Sequence, residues 1–102
     1  MLSYLITFHE TDGNDCRVYD AIVQAMNRDA AFAILAKSIE EKLEGQDYED
    51  DGSELGYYYH CGDDCPEDCE GHGGIALRDV REYASHEEAV KNLAVYHSRW
   101  EL

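Results

Sequence analysis

Basic residues are scarce in this chain: Lys and Arg total 8 against 23 Asp and Glu, a formal net charge of −15. Phosphate contacts are made chiefly by Lys and Arg, so nucleic acid and anionic membrane are poor partners for it. Long apolar runs are missing as well. Residues 1–8 are mostly apolar but too short for a membrane span or a signal core. They lack a basic flank, and His9, Glu10 and Asp12 follow at once. A protein kept in a cytosol is expected. Also absent are a glycine-rich phosphate loop, a strand-elbow serine and a His-Glu-x-x-His helix pair. With those motifs missing, binding is favoured over catalysis.

What is present is one domain's length, 102 residues, enough for a modest core. Its charge is localised. Between residues 40 and 70 stand thirteen acids: Glu40, Glu41, Glu44, Asp47, Glu49, Asp50, Asp51, Glu54, Asp63, Asp64, Glu67, Asp68 and Glu70. The one base there is Lys42, so this stretch carries twelve of the fifteen net negative charges. Such a field steers a complementary, basic protein surface toward it. The plainer account is a solvated, solubilising face, but self-repulsion at this density favours a compensating cation or partner.

The apolar pattern divides the chain into two similar halves. Residues 2–9 have the β-branched and aromatic character of a strand. Asp12-Gly13 signals a tight turn into a second strand over 16–25, and Asn27 is a good N-cap. Ala31, Phe32, Leu35, Ile39 and Leu43 then recur at helical spacing until Gly45. In the second half, 57–60 and 75–83 read as strands, and Ser85 with Glu88 forms a capping box. The helix that follows is expected to carry Ala89, Val90, Leu93, His97 and Trp100 inward and to run to the last residue. A shift of 58 positions aligns Asn27 with Ser85 and Leu35 with Leu93. The expected fold is α+β: a ββα-ββα pseudo-repeat, with a four-stranded antiparallel sheet and two helices on one face. Residues 46–74 interrupt it as an acidic loop insertion, the candidate site.

Within that insertion, residues 60–72 hold Cys61, Cys65, Cys69, His60 and His72. Thiolate and imidazole are preferred zinc ligands, and four of them can staple a loop too polar for a core of its own. Cys61, Cys65, Cys69 and His72 supply a Cys₃His set, in which His60 or Cys16 could replace one member. The spacing departs from the paired C-x₂-C arrangement, so free thiols remain a competing reading. Disulfides are disfavoured in a reducing cytosol, and the surrounding carboxylates would make poor nucleophiles of these cysteines. Asp47, Glu49, Asp51 and Gly52 match the opening of an EF-hand loop, but Tyr58 occupies the twelfth position, where a bidentate Glu is needed. Alternation along Tyr57, Tyr58 and Tyr59 sets Tyr58 on the face opposite its neighbours, available for contact with Arg or Lys.

In the runs 40–54 and 63–70, the chain resembles the small acidic inhibitors that phages and mobile elements deploy against host defences, the anti-CRISPR and anti-restriction proteins, many of them DNA mimics. It shares with them a short chain, a compact scaffold, a concentrated acid run and the lack of a catalytic motif, and no more specific signature. The resemblance implies that the thirteen acids named above, with Tyr58, occupy a basic nucleic-acid groove of a nuclease or CRISPR effector in the host cytoplasm. A zinc-stabilised protein-interaction module is the alternative.

Overall fold

The structure is a computed structural model that describes residues 1–12, 15–45, 48–59 and 73–102. Strands β1 (Leu2–Asp12) and β2 (Asp15–Ala25) pair antiparallel along their whole length, from Leu2 opposite Ala25 to Asp12 opposite Asp15. Helix α1 (Arg28–Lys42) follows. The Asn27 side chain accepts a 2.8 Å bond from the Ala30 N–H, and the chain leaves the helix through Gly45 at φ 89°, where a side chain would be strained. Next come β3 (Tyr48–Asp50), β4 (Gly56–Tyr59), β5 (Gly74–Tyr83), the short α2 (His86–Lys91) and β6 (Ser98–Arg99).

The sheet corrects the four-stranded antiparallel expectation. Six strands form one mixed sheet in the order β3-β4-β5-β1-β2-β6, with β6 parallel to β2. β3 arises inside the stretch expected to be irregular loop. Tyr48 pairs with Tyr59 and packs its ring edge-on against Tyr57 at 5.8 Å, and these contacts outweigh the poor strand propensity of Glu49 and Asp50.

The helices do not share a face. Tyr4, Ile6 and Phe8 of β1 and Tyr19, Ala21 and Val23 of β2 form one core with Phe32, Leu35 and Ile39 of α1. The alternate residues Ser3, Leu5, Thr7 and Asp20 are also buried, and they face the other way, where α2 lies against β1, β2 and β5. A bulge keeps the α1-side core continuous across β5. Thr7 pairs with Asp79 and Phe8 with Leu77, so the extra residue Arg78 lets Ile75, Leu77 and Val80 all turn toward that core.

The last helix also stops early. Running on to residue 97 would tie the Ala94 N–H into the helical ladder. That N–H instead donates to the Asp20 carboxylate at 3.2 Å, while the Asn92 side chain closes the helix on the Glu88 carbonyl at 2.8 Å. A buried carboxylate needs donors, and this requirement overrides the helical periodicity. Tyr96, beyond the end of the helix, is exposed, and so is Val90 within it, which the helical spacing placed inward. Trp100 reaches the α1-side core by a different route, around the edge of β2. Its ring meets Phe8 at 5.4 Å and Tyr19 at 5.3 Å, and its Nε1–H donates to Ser38 Oγ at 3.0 Å. Among the described residues, no helix is long and apolar enough to cross a membrane.

Candidate functional site

The β3–β4 hairpin divides the candidate acids between two faces. Tyr57, buried against α1, directs its hydroxyl to Glu40 at 3.4 Å and lies opposite Asp50. Burial first, then the fields of Glu40 and Asp50, push the Tyr57 phenol far above its ordinary range. The hydroxyl contact and the strand pairing place both carboxylates beside Tyr57, and Glu41 and Glu44 extend the exposed acidic surface along the end of α1. On the opposite face, Glu49 sits across from Tyr58, and Asp51 is two residues further along. Asp51 Oδ1 accepts from the Ser53 hydroxyl at 2.5 Å and the Ser53 N–H at 2.8 Å. These bonds, the hydroxyl above all, hold its carboxyl below the usual carboxylate range. Glu54 stands apart, since its carboxylate is paired with Arg28 at 2.6 Å, which ties the start of α1 to the hairpin turn.

Tyr57 is buried, Tyr58 is 60% exposed and Tyr59 is half-buried, its hydroxyl donating to Glu10 at 3.1 Å. Asp47, Asp63, Asp64, Glu67, Asp68 and Glu70 lie outside the described residues, as do His60 and the expected ligands Cys61, Cys65, Cys69 and His72. The ladder on either side of them is described. The Tyr59 N–H donates to the Gly73 carbonyl at 3.0 Å, so the two ends of that segment are held together. Cys16 is an exposed free thiol opposite Thr11, which in turn lies opposite Gly74, at the same end of the sheet. Among the described residues there is no group of three or more His, Cys, Asp or Glu able to hold a metal.

A polar site that sequence reasoning missed lies at Asp20. Its carboxylate is 2% exposed and accepts from Thr7 Oγ1 at 2.6 Å and from the Ala94 N–H, and both its oxygens lie 3.1 Å from His97 Nδ1. The available signal was an aspartate between Tyr19 and Ala21, the one charged residue in the otherwise apolar run 18–23. No protein family, characterised protein or solved structure matches this chain.

Proposed function

We propose that this chain is a non-enzymatic inhibitor that occupies a basic, nucleic-acid-binding surface of a host defence protein, in the manner of anti-CRISPR or anti-restriction proteins. The observation that carries the reading is the placement of Glu40, 3.4 Å from the Tyr57 hydroxyl, and of Asp50, opposite Tyr57 in the strand pair, beside exposed Glu41 and Glu44. Helix end and edge strand both present exposed acids, and a sheet whose core packs against α1 holds them in place. Acids on an edge strand also block unwanted strand pairing, and for Glu49 and Asp50 alone that account would suffice. It does not reach the end of α1, where no edge needs protection.

The test is displacement of labelled duplex DNA from a purified CRISPR effector complex and from a restriction endonuclease. Displacement is expected at about 50 mM salt, with at least tenfold weaker potency at about 200 mM, because screening removes the attraction. Absence of displacement from both at the lower salt, or equal potency at the two, overturns the reading. A variant with Glu40, Glu41 and Glu44 changed to Gln and Asp50 to Asn is expected to lose most of the potency with its circular dichroism unchanged.

The Tyr59–Gly73 pair favours one alternative, a zinc-stabilised interaction module. Holding the ends of 60–72 together lowers the entropic cost of gathering ligands drawn from that segment.

A further inference from the structure

The strand register builds a trough on the sheet face away from α1. One row across five strands reads Glu49, Tyr58, Gly74, Thr11 and Cys16. The adjoining row includes Gly56, Ala76 and His9. On the middle strand both positions are small, Gly74 and Ala76, so the floor is low. Tyr58 forms one wall, and His9 with Thr11 forms the other. Gly74 also lets the two backbones close up, since a Cβ there would collide with the Tyr57 carbonyl. The Asp51 carboxylate closes one end by lying over Gly56, in the space a Cβ would take. His9, Thr11, Asp51, Tyr58, Gly74 and Ala76 line a cavity of about 220 Å³.

Small-molecule sites usually enclose about 300–1,000 Å³, so this one suits a single side chain better than a metabolite. Its chemistry specifies which one. An exposed phenol ring presents a negative π-face, the Asp51 carboxylate stands at the end of the trough, and Thr11 adds a hydroxyl. A phosphate or carboxylate ligand would be repelled. A planar cation with several donors in a fixed fork satisfies all of these groups, and lysine's compact ammonium satisfies fewer of them.

We propose that the trough is a socket for an arginine side chain of the basic partner, with the guanidinium stacked on Tyr58 and donating to Asp51 and Thr11. The proposal rests on the inhibitor reading above and adds what the acidic surface alone does not supply, a preference for arginine over lysine.

The probes are two synthetic peptides of serine and glycine, each with four evenly spaced arginines or four lysines, titrated into the intact protein. Affinity is read by calorimetry, and contacts by amide NMR shifts. The arginine peptide is expected to bind at least about fivefold tighter, with the largest shifts at Thr11, Gly74 and Ala76. Tyr58→Ala is expected to abolish that preference, and Tyr58→Phe to keep it. Tyr58 is exposed, so both variants are expected to retain the wild-type circular dichroism. Equal, salt-sensitive binding of the two wild-type complexes would overturn the socket and leave the inhibitor reading standing. An arginine preference unchanged in Tyr58→Ala would also overturn the socket. If neither peptide binds at low salt, the acidic surface itself fails, and the inhibitor reading fails with it.

Discussion

Asp20 and His97 meet at 3.1 Å on the sheet face opposite α1, across 77 residues of sequence. The contact organises the last tenth of the chain. With the bond from the Ala94 N–H to the same carboxylate, it holds Ala94 and His97 over β2, and residue 100 passes round the edge, where the Trp100 N–H donates to the Asp20 carbonyl at 2.9 Å. Asp20 thus binds the strap with both its side chain and its backbone.

Replacing His97 by Ala removes one charge-assisted partner from a buried carboxylate and is expected to cost about 2 kcal/mol. The measurement is the urea midpoint followed by fluorescence of Trp100, the single tryptophan of the chain. A midpoint indistinguishable from wild type would show that Thr7 and Ala94 suffice to satisfy Asp20.

Alkaline pH is expected to destabilise the fold from about pH 10 upward. The Tyr57 phenol is raised in the folded state by burial and by Glu40 and Asp50, so above the ordinary tyrosine range the unfolded chain loses its proton first. The contribution is complete below about pH 10 and falls by up to about 1.4 kcal/mol per pH unit above it. Urea midpoints at pH 8, 10 and 11 check this, with Tyr57→Phe expected to flatten the decline. Tyr4, raised by burial and by Glu82, leaves a residual slope in that variant.

At the acid end the sign reverses. Asp51 is held below its ordinary range by Ser53, so the turn gains stability above the usual carboxylate range, and that gain is lost as pH falls through the folded-state value. Ser53→Ala is expected to move the Asp51 titration upward, read from its carboxyl carbon by NMR. An unmoved titration would mean that the Ser53 N–H alone holds it.

For the zinc-stabilised alternative, elemental analysis is expected to find about one zinc per chain. Under native conditions a thiol reagent would then modify Cys16 at once, because it is exposed and free. The thiols of Cys61, Cys65 and Cys69 would react only after chelation. All four thiols of the chain reacting together in metal-free protein would sink that alternative.

Substituting Asn27 by Ala is expected to cost about 1 kcal/mol, since it removes the acceptor of the Ala30 N–H at the start of α1. Thermal denaturation by circular dichroism measures it directly.

Local signals carried through where chemistry acts at short range. Asn27 and Ser85 cap their helices, and the tyrosine run alternates inward and outward. Less was legible where a distant group decided the outcome. The spacing of Ala89, Leu93, His97 and Trp100 is helical, yet the donors required by Asp20, far away in β2, broke the helix. β3 is three residues long, too short to show a period, and forms only because Tyr48 finds Tyr57 and Tyr59. The acids were visible as a cluster, but their division between two faces depends on the pairing of Glu49 with Tyr58. Likewise, the trough needs β5 to lie between β4 and β1, an order no single segment encodes. Its one local trace is the pair of small residues, Gly74 and Ala76, in a strand.

The bond from the Tyr59 N–H to the Gly73 carbonyl has a consequence for how the protein can vary. It seals the sheet at that point, so the number of residues between the two positions can change at little cost, about 0.6 kcal/mol for each doubling of length. The hairpin end is thus a port: a different segment can be spliced in there while the framework beneath keeps its register.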